Sequence, residues 1–429
     1  MTTTRDDCLA LDAADALAPL RGQFDLPPGV IYLDGNSLGV LPRATAARVQ
    51  DVMQREWGRD LIQSWNSAGW IDLPQRVGDK IARLVGAKAG ELVVADSTSI
   101  NLFKVLSAAA GAIRRETAPA RRVIVSERSN FPTDLYIAES VCAERGWELV
   151  LHEPDEIAAR LGSDVAILML THVNYRTGRM HDMASLTAKA HAAGAHAVWD
   201  LAHSAGAVPL DLHAADADFA IGCGYKYLNG GPGAPAFVWA HPRHAGRFAQ
   251  PLSGWMGHAA PFEFTPGYRP AAGIARYLCG TPPVLSLAAL ECGVDTVLAA
   301  QPLGGLAALR AKSVALTELF ATLVETRCAG FGLAVASPRE ARERGSQVCL
   351  TLAGDEAARG YAVVQALIAR GVIGDFRAGD ERTPDILRFG FTPLYTRFVD
   401  AWDAVEHLRH VMIAQEWREP RFNRRSAVT

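Results

Sequence analysis

Short apolar runs alternate with longer helical segments through the middle of the chain, from about Glu91 to Ala240. The runs are rich in β-branched residues, and they read LVVA (92–95), RVIVS (122–126), WELVLH (147–152), DVAILMLT (164–171), HAVWD (196–200), DFAIGCG (218–224) and PAFVWA (235–240). Continuous apolar strands separated by helices are typical of a mostly parallel sheet that is covered on both faces. The alternation therefore predicts an α/β fold, with helices on both faces of a mostly parallel central sheet.

The pattern changes after about Pro282. A long helical region runs from Leu285 towards Arg327; it is followed by strand candidates FGLAVA, QVCLTLA, GVIGDF and ILRFGF, and by helices at EAARGYAVVQALIAR and after Phe398. Strands and helices mixed in this way are typical of a smaller α+β domain. We therefore predict an N-terminal segment (1–50), a large domain (51–290) and a small C-terminal domain (291–429).

The charge balance excludes a protein that binds nucleic acid. Lys and Arg number 43 and Asp and Glu 46 among 429 residues, which gives a formal net charge of −3. Binding to a phosphate backbone needs a basic face, and no Lys/Arg block stands out except Arg424-Arg425. Apolar residues make up 49% of the chain, so the sequence can form a large globular core.

Neither a membrane anchor nor a disulfide framework is expected. No uninterrupted apolar run approaches the roughly 18–20 residues that span a bilayer, and the acidic N-terminus lacks the apolar core of a signal peptide. The cysteines number 7, and none of them shows C-x-x-C spacing, which favours reduced thiols over disulfides or a zinc ribbon. The sequence therefore predicts a cytoplasmic protein without a metal site.

An acid and a lysine follow two strands of the predicted sheet. Asp200 ends the run HAVWD, His203 follows closely, and Lys226 comes just after DFAIGCG. Ligands of an open parallel sheet sit beyond the carboxyl ends of its strands. This placement suits pyridoxal phosphate (PLP), whose aldehyde forms a Schiff base with a lysine and whose pyridinium N–H pairs with a carboxylate. Taken singly, an Asp at a strand end often caps a helix, and a loop Lys is often a solvated charge.

Two further features would complete a PLP site. Thr98 and Ser99 supply hydroxyls after one strand and before a helix, where a phosphate finds N–H donors. The same two residues also suit a plain helix cap that needs no ligand. A ring stacked on the pyridine would come from His203 or Phe131.

Several motifs in a fixed order resemble kynureninase, especially its bacterial form. They are YLDGNSLG (32–39), DSTSINLFK (96–104), SNFPTDLYIAE (129–139), HVNYRTGRMHDM (172–183), WDLAHSAGAVPLDL (199–212), GCGYKYLNGGPGAPAF (222–237), GWMGH (254–258), GTPPVLSL (280–287) and RFGFTPLY (388–395). The features at Asp200, His203 and Lys226 alone indicate only a fold-type-I PLP enzyme of the class V aminotransferase group. GNSLG, GYKYLNGGPG and RFGFTPLY narrow the resemblance to kynureninase, and the matches span about residues 24–400.

The resemblance implies a PLP-dependent homodimer that hydrolyses L-kynurenine to anthranilate and L-alanine in tryptophan catabolism. It implies catalytic roles for Lys226, which forms the Schiff base and removes the Cα proton, for Asp200, which pairs with the pyridine nitrogen, and for Tyr225. Whether Tyr225 moves a proton or only binds phosphate stays open. The cofactor contacts implied by the motifs are Thr98, Ser99, Phe131, Asp134, Asp200, His203, Tyr225, Lys226, Trp255 and, from the partner subunit, Thr281.

The same resemblance implies a substrate side. Arg388 holds the substrate carboxylate, and the GNSLG loop places Ser37 near the substrate. Ser37 is also a candidate for the pocket of the aryl ring, together with Trp65, Trp70 and Met256. Some members of the family, including the animal form, have Asn in place of Thr281, and either side chain can bond a phosphate oxygen. The sequence does not decide between kynurenine and 3-hydroxykynurenine.

Other interpretations use the same residues. GNSLG matches the nucleophile elbow of serine hydrolases with Ser37 as nucleophile, but that elbow normally follows several strands of the sheet. His172 and His181 would make a metal pair, although no carboxylate completes the pattern. A cysteine desulfurase or another class V enzyme would share the lysine and need a nucleophilic cysteine on a loop. A PLP-binding regulator would need a nucleic-acid-binding module.

Overall fold

The computed structural model describes residues 3–115, 121–244, 246–353 and 359–425. The backbone groups into two compact units. The first unit comprises Met1–Arg43, Tyr175–Met180 and Thr296–Thr429, and the second comprises Ala44–Asn174 and His181–Asp295. The division into domains 1–50, 51–290 and 291–429 stays a prediction.

The strands lie close to the predicted apolar runs. In chain order they are β1 (Ile31–Tyr32), β2 (Leu92–Val94), β3 (Val123–Glu127), β4 (Glu148–His152), β5 (Val165–Thr171), β6 (His196–Asp200), β7 (Phe219–Gly222), β8 (Phe237–Ala240), β9 (Leu333–Val335), β10 (Gln347–Leu352), β11 (Val372–Ile373), β12 (Asp375–Arg377) and β13 (Ile386–Gly390). Each predicted run contains at least one of these strands, because buried β-branched and aromatic residues favour extended backbone.

The helices fill the segments between the strands. In chain order they are α1 (Arg5–Ala13), α2 (Arg43–Asp51), α3 (Ser64–Ser67), α4 (Leu73–Ala82), α5 (Thr98–Arg115), α6 (Pro132–Arg145), α7 (Ile157–Arg160), α8 (Met183–Ala192), α9 (Val284–Leu298), α10 (Gly305–Arg327), α11 (Gly360–Ala369) and α12 (Phe398–Ala414). The predicted helical region from Leu285 to Arg327 is two helices, because α9 ends at Leu298 and α10 begins at Gly305. Between them lies a short 3₁₀ turn (Gln301–Leu303) that ends at Gly304 in a left-handed conformation (φ 101°).

The second unit is built on one sheet in the order β2-β8-β7-β6-β5-β3-β4. Strand β8 runs antiparallel to its neighbours β2 and β7, and the other pairs are parallel. Every residue of β3, β5 and β7 is buried, so both faces of the sheet are covered. The predicted mostly parallel α/β sheet is therefore confirmed.

Helices α5 and α6 bring polar residues to one edge of this sheet. Helix α5 starts shortly after β2 and buries Leu102, Val105 and Leu106 in the core of the second unit, at about 1.5–3 kcal/mol for each fully buried aliphatic side chain. Helix α6 has Pro132 in its first turn, where the missing N–H costs no hydrogen bond, and it ends at Gly146 with φ 64°. Helix α5 follows β2 and helix α6 follows β3, so both helices begin near the carboxyl end of the strand that precedes them.

The first unit contains an antiparallel sheet in the order β12-β13-β10-β9 and a parallel pair formed by β1 and β11. Its core includes residues of α10, α11 and α12, among them Phe320, Val363 and Val405. The chain after β1 approaches β13, where a Cβ at Gly390 would collide with the side chain of Asn36. The GNSLG turn therefore packs directly against the RFGF segment that carries Arg388.

Helix α9 shows why apolar length alone is a weak indicator of a membrane span. By length and composition the stretch Val284–Leu303 could cross a bilayer, with a mean hydropathy of 1.4. However, Glu291 lies 3.1 Å from both Arg76 Nε and Lys80 Nζ, and Asp295 lies 2.8 Å from Lys80 Nζ. These ion pairs are typical of a helix that packs within a folded unit.

Candidate active site

The carboxyl ends of two neighbouring parallel strands bring Asp200, His203 and Lys226 together in the second unit. Strand β6 ends at Asp200, which pairs in register with Ile221 of β7, and Lys226 lies in the loop that follows β7. The Nζ atom of Lys226 is 3.0 Å from Nε2 of His203. His203 is buried and Lys226 half-buried, so the amine is held in a partly desolvated position against an imidazole.

Two aromatic rings flank the same amine. The Nζ atom of Lys226 lies 5.8 Å from the ring centroid of Phe131 and 5.8 Å from that of Tyr225. Phe131 precedes helix α6 and is 40% exposed, so its ring is open to a planar ligand. Burial raises the pKa of the Tyr225 hydroxyl, which therefore stays protonated at neutral pH and can donate a hydrogen bond or a proton.

Asp134 and Asp200 form a buried pair of carboxyls, 2% and 5% exposed. Burial raises the pKa of Asp134 well above its usual range, and the neighbouring charge of Asp200 raises it further. Burial also raises the pKa of Asp200, but the charge of Lys226 and a 2.7 Å hydrogen bond from the Ala202 N–H favour its ionised form. Asp134 is therefore the carboxyl of the pair that is more easily protonated, and Asp200 is the one that is more easily ionised.

Thr171 and Asn130 support this pair and were missed by the motif reasoning. Thr171 Oγ1 lies 3.3 Å from Asp134 Oδ2 and 3.4 Å from Asp200 Oδ2, and it donates to Asn130 Oδ1. Thr171 ends β5 and pairs in register with Asp200 of β6. The sequence could have indicated this role, because Thr171 is a polar residue at the end of an apolar run, as Asp200 is at the end of the next one.

Thr98 and Ser99, which were predicted just before a helix, are the first two residues of α5, and both are half-buried. Backbone N–H groups at a helix start, with the positive end of the helix dipole, suit a phosphate. The preceding loop is held by Lys104, which is fully buried and bonds to Asp96 and to the Tyr277 carbonyl oxygen.

Trp255 joins an aromatic cluster beside a cavity. Its ring lies 5.7 Å from that of Trp65 and 5.8 Å from that of Phe262, both in T-shaped geometry. The cavity measures about 630 Å³, and its lining residues are Ile62, Trp65, Asn66, Trp255, Phe262 and Phe264. Of the residues predicted for an aryl pocket, Trp65 therefore lines this cavity.

The remaining residues predicted near these rings lie in other surroundings. Trp70 lines a separate cavity of about 450 Å³ together with Pro282. Met256 is buried directly after Trp255, while Thr281 is exposed on the surface of the chain.

Arg388 and Ser37 lie in the first unit. Arg388 is 2% exposed; its Nη2 donates to Ser37 Oγ at 2.6 Å and its Nη1 to the Tyr175 carbonyl oxygen at 3.1 Å. The Nε atom of Arg388 is buried and has no hydrogen-bond partner among the described residues. A buried guanidinium donor without a partner is costly, and a carboxylate ligand would satisfy it.

Two carboxylates beside Arg388 were missed by the motif reasoning. Asp375 accepts a hydrogen bond from Arg388 Nη2 and is 2% exposed. Asp34 lies 3.9 Å from the same nitrogen and accepts a 2.7 Å hydrogen bond from Ser37 Oγ. Asp34 stands inside the YLDGNSLG motif, so its position next to Ser37 was the available signal.

The two histidines considered as a metal pair have separate partners. His172 Nδ1 bonds to Ser204 Oγ at 2.9 Å, and His181 Nε2 bonds to Glu127 at 2.6 Å. A different group, His196, Asp218 and His244, places ligand-type atoms within 4.8 Å of one another. There, however, Arg243 Nη2 already donates to Asp218 at 2.6 Å, so a guanidinium occupies the position of a cation.

Known proteins resemble this chain over its full length. A model described as the kynureninase C-terminal domain matches residues 309–408. The kynureninase of Pseudomonas fluorescens is 57% identical over 430 residues, which cover 100% of this chain and 100% of that relative.

The solved structures with similar backbones have low sequence identity. A cysteine desulfurase from Thermococcus onnurineus NA1 has a TM-score of 0.77 at 18% identity, over 92% of this chain and 98% of its own. A variant of C-DES with glycine covalently linked to its PLP cofactor has a TM-score of 0.78 at 16% identity, over 90% and 98%. At such identities the likeness shows the fold, which is that of fold-type-I PLP enzymes, and not the reaction.

Proposed function

The chain belongs to the kynureninase family, and on that premise we propose that the site around Lys226 hydrolyses L-kynurenine to anthranilate and L-alanine. The observation that carries the proposal is the Lys226 amine, 3.0 Å from His203 in the unit that also holds the Asp134–Asp200 pair. Adding L-kynurenine to the holoenzyme should release fluorescent anthranilate and an equal amount of L-alanine. The same assay with 3-hydroxykynurenine gives the substrate preference.

A cysteine desulfurase is the second candidate, because its fold is shared. That reaction needs an accessible nucleophilic thiolate. All the cysteines lie among the described residues. Cys279 and Cys292 are half-buried, and the other cysteines are fully buried. Burial also raises the pKa of the Cys292 thiol. We therefore expect no sulfide from L-cysteine, and sulfide release without anthranilate from kynurenine would overturn the proposed function.

The donor set of the second unit fits PLP. A buried carboxylate at Asp200 suits the pyridinium N–H, the hydroxyls of Thr98 and Ser99 at the start of α5 suit the phosphate, and Lys226 offers an amine to the aldehyde. When bound, PLP supplies an electron sink for charge that develops at the substrate Cα and Cβ. Asp200 would pair with the ring N–H as a carboxylate, since the charge of Lys226 and the Ala202 N–H favour its ionised form.

Proton transfer is assigned to the residues around the amine. We assign removal of the substrate Cα proton to Lys226, whose free amine is a base held against His203. His203 and Phe131 both lie beside the Lys226 amine, and they are the candidates to pack against a planar ring held there. We assign donation of a proton to the substrate Cβ to Tyr225, whose ring lies 5.8 Å from the Lys226 amine and whose hydroxyl is neutral.

On the substrate side, the motif assigns the carboxylate of kynurenine to Arg388, whose Nε lacks a partner among the described residues. Ser37 donates to Asp34 and accepts from Arg388, so it fixes the orientation of the guanidinium. For the aryl ring, we propose the cavity lined by Trp65 and Trp255. These assignments leave the serine no role as a nucleophile.

We propose that Arg388→Lys weakens kynurenine binding by about 1.5–3 kcal/mol, the usual contribution of a charged hydrogen bond. Lysine keeps the charge but cannot present two parallel N–H groups to a carboxylate. The dissociation constants of kynurenine and of PLP should be measured separately. Arg5→Lys is the matched control, because Arg5 is exposed and pairs with Asp403. Weaker PLP binding with unchanged kynurenine binding would contradict the assignment.

Oligomeric state and location complete the proposal. We propose a homodimer in which the exposed Thr281 reaches the cofactor phosphate bound by a second copy of the chain. The cytoplasm is the proposed location. Sedimentation analysis of the holoenzyme, with Thr281→Ala tested for PLP affinity, would check both the dimer and the shared site.

A further inference from the structure

Asp34 is a nearly buried carboxyl that the proposed reaction does not use. Its side chain is 17% exposed; Oδ1 accepts from Ser37 Oγ at 2.7 Å and lies 3.9 Å from Arg388 Nη2. Asp34 belongs to the same unit as Arg388, and the backbone bridge between Asp34 and Gly390 holds it there. A negative charge bound at the Arg388 guanidinium would therefore raise the pKa of Asp34.

The charges around Asp34 already balance. Arg388 and Arg377 are the cations, and Asp375 bonds to Arg388 and lies 2.7 Å from Arg377 Nη2. Asp34 is the second carboxylate. Tyr32 and Tyr395 also interact with Asp34, and burial raises the pKa of each phenol, so both stay neutral. A ligand carboxylate on Arg388 would therefore leave one excess negative charge in a largely buried cluster.

We propose that Asp34 takes up the proton that neutralises this excess charge when the substrate carboxylate binds Arg388, so that Asp34 couples substrate binding to pH. This inference rests on the proposed function only in taking Arg388 as the carboxylate site. Asp34 is a positioning residue, since it acts through Ser37 and Arg388 and not on the reacting atoms. Asp375, the other carboxylate of this cluster, is unsuited to the task because two guanidinium groups hold it.

The acid–base properties of Asp34 agree with the geometry. Burial and the charge of Asp375 raise its pKa to about 7, while Arg388 and Ser37 oppose the rise. A bound carboxylate raises the pKa further. Below about pH 7 Asp34 is already protonated, so the affinity for the substrate carboxylate does not depend on this group. Above about pH 7 binding must take up a proton, so that affinity falls with increasing pH.

The test uses L-alanine, a product that carries the same carboxylate, and the PLP-loaded enzyme. Dissociation constants are measured from about pH 6 to pH 9 for the wild type, for Asp34→Asn and for Asp403→Asn, a carboxylate of the same unit that pairs with the exposed Arg5. The ratio of the wild-type constant to that of Asp34→Asn should be near one at pH 6 and rise towards about tenfold per pH unit above pH 7, the limit for one proton. The ratio to Asp403→Asn should stay flat.

Dividing by the Asp34→Asn constant removes protons exchanged by the cofactor and the amino group, which both proteins share. A flat wild-type to Asp34→Asn ratio would overturn the inference. If Asp34→Asn does not fold, infrared difference spectra of the wild type at about pH 8 provide a second readout. Adding L-alanine should create a protonated carboxyl band, and its absence would overturn the inference. Anthranilate release from kynurenine reports the proposed function separately.

Discussion

Replacing Lys226 with alanine should abolish steady turnover of kynurenine while the protein still folds. The amine is assigned to both covalent attachment of the cofactor and removal of the Cα proton. Loss of a positioned base alone costs about 10²–10⁴-fold in rate, and loss of the attachment adds to it. The Lys226 side chain is only half-buried and contacts His203 and two ring faces, so its removal leaves little strain in the core.

The measurement is anthranilate formation under saturating PLP and kynurenine, with circular dichroism as the check on folding. Lys88→Ala is a matched control, because Lys88 is an exposed lysine of the same unit. It should keep wild-type turnover. A Lys226→Ala enzyme that turned over at a near-normal rate would show that the base lies elsewhere.

Tyr225→Phe should lower turnover by roughly 10²–10⁴-fold even when PLP is saturating, the range for a positioned proton donor. The substitution removes one hydroxyl and keeps the ring that lies 5.8 Å from Lys226 Nζ. If the hydroxyl only bonded phosphate, PLP affinity would fall by about 0.5–1.5 kcal/mol and saturated turnover would survive. A proton donor is therefore recognised by a loss of saturated turnover, and a phosphate ligand by a loss of PLP affinity.

Single-turnover kinetics separate the two roles of Tyr225. Fast anthranilate release followed by slow alanine formation is expected if the hydroxyl protonates Cβ. Tyr227→Phe is a comparison at a buried tyrosine in the same loop, and it tests whether any lost phenol gives the same delay. Unchanged alanine formation in Tyr225→Phe would leave the residue as a phosphate ligand only.

Most of the fold followed from local patterns. The apolar runs predicted each strand of the large sheet to within a few residues, because strand formation there depends on buried side chains close together in sequence. The long helical region after Leu285 was predicted without its break, which includes the left-handed backbone at Gly304. A glycine inside an apolar helical pattern is compatible with either outcome, so the pattern alone could not place it.

Some residues of the candidate site could be predicted from the sequence, and others could not. Asp200 and Lys226 were predicted from strand ends, since the carboxyl ends of parallel strands share one edge of a sheet. Asp134, Tyr225 and Arg388 came only from the resemblance in motifs. The support around them, including Thr171, was not predicted, because it depends on which strand lies beside which.

The sequence by itself determined the order of strands and helices, the motifs and the residue types that suit PLP. Only the tertiary structure decided the acid–base properties of the carboxyls. The pKa of Asp134 is raised well above its usual range because folding buries it beside Asp200, and the pKa of Asp34 rises to about 7 because folding buries it beside Asp375. Both effects depend on burial and on distances between residues far apart in the chain, and Coulomb energies change steeply with both quantities.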